Sequence, residues 1–158
     1  MTVYELVLTV HVLGAIVLLG TGAGIAFFMV MAVRTREPAL IAHVAGTVVI
    51  ADTLFTATAA ILQPVTGLVL VRISGWEFSE PWIALSIGLY VVIGLFWLPV
   101  VWIQIRLRDL ARSAAETGSA LPERFHRLYR IWFAAGFPAF FAVLGIVWLM
   151  LTKPSAGY

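Results

Sequence analysis

The stretch Val3-Tyr4-Glu5-Leu6-Val7-Leu8-Thr9-Val10-His11-Val12-Leu13-Gly14-Ala15 opens an apolar run that continues to Val33. Past Glu5 this run carries no acidic or basic side chain except the imidazole of His11. A helix needs roughly 20 apolar residues to cross the hydrocarbon core of a bilayer, so the run is long enough to span one. Working outward, three more stretches qualify: Ala39 to Val71, Pro81 to Ile105 and Ile131 to Leu151.

The whole chain agrees with that reading. Of its 158 residues 62% are hydrophobic and 11% charged, and the mean hydropathy of +1.03 excludes a soluble domain. The absence of cysteine excludes disulfides, thiolate metal sites and cysteine nucleophiles together. Met1-Thr2-Val3-Tyr4-Glu5 lacks the basic start of a signal peptide, so the first helix is expected to remain in the mature protein. A pI near 9.4 could suggest nucleic acid. The net charge is only +2, however, and the basic residues sit in loops between spans, so no nucleic acid partner is expected. The expected partner is the lipid bilayer.

The expected fold is all-α: a polytopic, antiparallel bundle of four transmembrane helices in one domain, 1–158. The helices are expected over about 3–33, 39–73, 81–115 and 122–152. Pro38 suits the start of a new helix. Pro64, Pro99 and Pro138 lie inside spans, where neighbours can satisfy the carbonyls a proline frees. Eight basic residues, Arg34, Arg36, Arg106, Arg108, Arg112, Arg124, Arg127 and Arg130, fall on one side, against Arg72 and Lys153 on the other. The positive-inside rule then places both termini outside the cytoplasmic membrane.

Ionisable and polar groups within spans are costly and are functional candidates by default. His11 lies eight residues from Val3, and Gln63 eight from Val71, so antiparallel neighbours bring them to one depth, about 12 Å into the bundle. Asp52, Thr56, Gln63 and Thr66 or Gly67 recur at helical spacing and are expected on one face of the second helix. His11, Gly14 or Ala15, Leu18 and Gly22 form a facing stripe with small residues that admit a backbone or a flat ligand. A cleft lined by His11, Gln63 and Asp52, with Gly14 and Thr56 beside them, is the expected site. His11 reads either as a haem or metal ligand or as a hydrogen-bond donor to a carbonyl or to Gln63. Asp52 reads either as a structural hydrogen-bonded carboxyl or as a proton-handling or ligand-lining group. His43 and His126 lie near the arginine side, and His43 is too far along the bundle, about 30 Å, to share an iron with His11.

Several segments carry a resemblance over essentially the whole chain. Tyr4 to Ala15, Ile61-Leu62-Gln63-Pro64-Val65-Thr66-Gly67-Leu68, Leu98-Pro99-Val100-Val101-Trp102-Ile103-Gln104-Ile105-Arg106, and Tyr129-Arg130-Ile131-Trp132-Phe133 with Phe137-Pro138 resemble an uncharacterised bacterial family of predicted integral membrane proteins. Val10-His11, Trp132-Phe133, Pro138 and Lys153-Pro154 are more distantly similar to the haem-dependent membrane protoporphyrinogen oxidase and the copper-resistance membrane domain. That similarity implies His11 as an axial ligand of haem b, and a bacterial inner-membrane location. The third helix departs from the oxidase pattern, having Trp97-Leu98-Pro99 where those proteins often place a histidine.

The leading expectation is thus a membrane protein binding haem b, with a redox or porphyrin-related role, in which His11 ligates iron while Gln63, Asp52, Gly14 and Thr56 line the pocket. The alternative is a cofactor-free small transporter, a metal-handling protein or a structural subunit of a membrane complex. The glycine-rich first helix can face a second protomer, in a homo-oligomer, as easily as the second helix. Nothing in the sequence decides whether the protein is an enzyme.

Overall fold

A computed structural model describes residues 1–154; the last four residues of the expected domain lie outside the described residues. Four helices run antiparallel: α1 (Val3–Thr35), α2 (Pro38–Ile73), α3 (Pro81–Thr117) and α4 (Glu123–Thr152). All four are long and apolar enough to cross a membrane. The all-helical four-span bundle read from the sequence is therefore the observed fold, with helix ends within two residues of the expected ones.

Local chemistry sets those ends. Thr2 caps α1 by accepting from the Glu5 amide at 3.2 Å, while Glu5 Oε2 accepts from the Thr2 amide at 2.7 Å, closing a capping box. Pro38 and Pro81 occupy first-turn positions of α2 and α3, where a missing N–H costs nothing. Arg36 and Gly118 end α1 and α3 in the left-handed conformation, at φ of 61° and 63°. The spans continue through Pro64, Pro99 and Pro138 without a break.

One interruption was not expected. Residues Asp52–Thr56 form a π turn within α2, and the Ala57 amide donates to the Asp52 carbonyl five residues back. The extra residue rotates everything beyond it by about 100° relative to an unbroken helix. Accordingly the first part of α2 packs on α3, and the part after the π turn packs mainly on α1.

Helices of 30 to 37 residues are about 45–55 Å long, more than the hydrocarbon requires. The excess lies at the arginine-rich end, where α3 runs on past Arg106 and α4 begins with Glu123-Arg124. Burial follows from this. The fully buried Met29, Ile41, Leu107 and Phe125 belong to one core at that end, together with Ala111 and Trp132. There water drives packing, at roughly 1.5–3 kcal/mol per large side chain. Within hydrocarbon no such drive exists between helices, and Phe28, Ile50, Ile61, Leu95 and Phe141 face outward. A smaller core of Trp82, Ile83 and Leu149, joined by Val71, closes the end that carries the termini. Between the two cores the helices stand apart.

Candidate functional site

The space between the cores is a cavity of about 600 Å³ bounded by all four helices. Small residues open it: Gly22 on α1, Gly94 on α3 and Gly136 on α4 line it, and a Cβ added at any of the three would meet nothing within 4 Å. Aromatic side chains, among them Tyr90, Trp97, Trp132, Phe133 and Phe137, supply much of the remaining wall. The Tyr90 hydroxyl donates to the Ala60 carbonyl, tying α3 to α2 across it.

Four polar side chains of the cavity, Asp52, Thr56, Trp97 and Gln104, lie toward its arginine-rich end, while Gln63 and Tyr90 lie further along it. Asp52, only 4% exposed, lies in the π turn and accepts from Trp97 Nε1 at 3.3 Å through Oδ1. The Gln104 amide, oriented by its surroundings, donates to Asp52 Oδ2 and accepts from Trp132 Nε1, both at 3.2 Å. The relay Trp132 to Gln104 to Asp52 thus joins α4, α3 and α2. Thr56 is 8% exposed, one turn from Asp52, and its Oγ1 has no hydrogen-bond partner among the described residues. The ion pairs among the described residues, Arg108–Asp109 and Arg130–Glu123, leave Asp52 without a cationic partner.

His11 belongs to a different construction. Its Nδ1 lies 2.8 Å from Thr66 Oγ1, and that hydroxyl in turn donates to the Leu62 carbonyl at 2.7 Å. With the Thr66 proton assigned to the Leu62 carbonyl, the hydroxyl accepts from His11 Nδ1–H, an assignment that leaves the lone pair on Nε2. Gln63 Nε2 donates to the His11 carbonyl at 2.7 Å. The Gln63 side chain lies where a Cβ on the buried Gly14 would stand, and the imidazole lies 3.3 Å from where one on Gly67 would stand. Gly14 and Gly67 are what let α1 and α2 clasp here.

The expected cleft is therefore corrected in its composition. Asp52, Thr56 and Gln63 line the central cavity, whereas His11 and Gly14 do not. Depth matching did bring His11 and Gln63 together. Asp52 is about 16 Å further along α2 than Gln63, and the π turn aims it at α3 and α4 instead of α1. Trp97, Gln104, Trp132 and Tyr90 were not read as site residues. A signal for two of them exists: Asp52 and Gln104 are each 26 residues from Phe78 in the α2–α3 turn, and Gln104 and Trp132 are each 14 from Gly118.

A match to known sequences now adds to this geometry. The family model of DUF2269, described as predicted integral membrane proteins, matches residues 5–154. The chain belongs to that family. DUF2269 membership bears out the reading of an uncharacterised membrane-protein family and of a bilayer environment. No curated protein and no solved structure matches the chain.

Haem b can be tested against the residues present. The cavity wall holds no histidine, cysteine or methionine, and among the described residues no three His, Cys, Asp or Glu side chains converge. His11 and the cavity do not combine into one haem site.

Proposed function

We propose that this protein binds a small, mainly apolar molecule inside the membrane, holding it in the central cavity with its polar end toward Asp52. One observation carries the reading: a cavity of about 600 Å³ whose wall is mainly apolar and aromatic, with a buried carboxyl, its Gln104 partner and an unpartnered hydroxyl gathered at one end. Convergent polar groups at one end of an apolar pocket are what orient a bound ligand. The glycines at 22, 94 and 136 keep the space open at the cost of the side-chain packing they forgo. The arginine distribution supports an orientation with the Asp52 end toward the cytoplasm and both termini outside.

The neutral fluorophore N-phenyl-1-naphthylamine tests this reading in non-ionic detergent. Wild-type protein should bind it saturably above the micelle background, and Gly94→Leu, which projects a bulky side chain into the cavity, should weaken the saturable part. Partitioning indistinguishable from empty micelles, or unchanged by Gly94→Leu, would refute it.

A second reading rests on the His11 tautomer. The free Nε2 lone pair supports ligation of haem b, or of another metal centre, at the α1–α2 clasp outside the cavity. A Soret band abolished by His11→Ala would support it, and a colourless protein after expression with ample haem would sink it.

A further inference from the structure

We infer that the guest of the central cavity is a hydrophobic organic monocation, with the Asp52 carboxylate as its counter-ion; this rests on the cavity reading above. The argument is one of charge complementarity. Among the described residues no arginine, lysine or histidine lines the wall, and Asp52 is the one formally charged residue on it. The carboxylate receives only neutral N–H groups, from Trp97 and Gln104, at 3.3 and 3.2 Å.

Thr56 Oγ1 is buried, unpartnered and on the cavity wall, with lone pairs to offer. The π faces of Trp97, Trp132, Phe133 and Tyr90 carry negative charge density and attract cations. An ionised carboxyl removed from water with no counter-charge is costly, and a cation seated beside it removes that cost. The apolar remainder of the wall requires an apolar body on the same molecule. A bare metal ion does not satisfy the site, because Asp52 is its only strong oxygen ligand and no second carboxylate or histidine joins it.

Two probes of equal size and shape but opposite charge, tetraphenylphosphonium and tetraphenylborate, test the inference by displacing bound N-phenyl-1-naphthylamine. The assay uses the full chain in non-ionic detergent and mildly alkaline buffer, with free probe concentrations corrected against protein-free micelles. The chain's net charge of +2 favours the anion, so a preference for the cation must arise locally. Wild type should be displaced by the cation at a concentration at least about tenfold below that of the anion. Asp52→Asn should bring the two to near parity. Equal displacement in wild type, a measurement that needs no variant, overturns the inference, as does a cation preference that survives Asp52→Asn. In both cases saturable fluorophore binding shows that the cavity reading stands. Loss of that saturable binding in wild type overturns the cavity reading and the inference together.

Discussion

Adding one methyl at Gly14 should test the α1–α2 clasp. The Cβ of Gly14→Ala would overlap the amide nitrogen of Gln63, the flexible end of a long side chain, so Gln63 can swing away. The loss is then the Gln63 bond to the His11 carbonyl, worth about 1 kcal/mol, or about 0.6 by the average found for polar contacts between transmembrane helices. The gain in helix propensity from glycine to alanine, up to about 1 kcal/mol, partly offsets it, so the single variant alone decides little. A double-mutant cycle removes that ambiguity, because propensity is the same in both backgrounds. With Gln63→Ala in place there is nothing for the new methyl to displace. Gly14→Ala should therefore be less harmful there by about 0.6–1 kcal/mol than in wild type. Unfolding in mixed micelles by increasing dodecyl sulfate, followed by circular dichroism, reads the four free energies. Additive effects would refute the clasp as the link between these residues.

Other consequences are independent of it. Gln104→Leu strands the Trp132 indole N–H and removes one donor from Asp52, and should cost about 1–3 kcal/mol in the same unfolding assay. Phe125→Ala, at a fully buried site beyond the apolar spans, should cost about 3 kcal/mol or more, and a loss below about 1 would contradict a water-driven core at that end. On the second reading, a Soret band from added haem should depend on His11, so that His11→Ala removes it and Gly94→Leu leaves it. A band removed by Gly94→Leu would show that haem occupies the cavity. Because the chain has no cysteine, Ser119→Cys and Ser74→Cys can be labelled singly. An impermeant maleimide should reach Ser74→Cys from outside intact cells and not Ser119→Cys; the reverse would overturn the orientation.

The helices were legible because hydrocarbon demands long apolar runs with charged turns between them, and the Arg34–Pro38 and Ser74–Glu80 segments supply those turns. The pairing of His11 with Gln63 was legible for a related reason, since both lie 26 residues from Glu37 in the intervening turn. What stayed hidden was rotation about the helix axis. Asp52-Thr53-Leu54-Phe55-Thr56 has no glycine or proline to announce a π turn, and the Asp52 carboxyl that this turn carries meets Trp97 and Gln104 of α3. Trp97 and Trp132 enter the sequence reading only through motif comparison, because an indole in a span has several uses. Only a located carboxylate shows which of them its N–H serves.

The most direct measurement is a structure of the protein with a bromine-bearing hydrophobic ammonium bound, the bromine located by anomalous scattering. The account predicts a peak inside the cavity between Gly94 and Gly136, with the ammonium end at Asp52. Bromine found only on the lipid-facing surfaces of α1 to α4, with the cavity unoccupied at saturating probe, would contradict it.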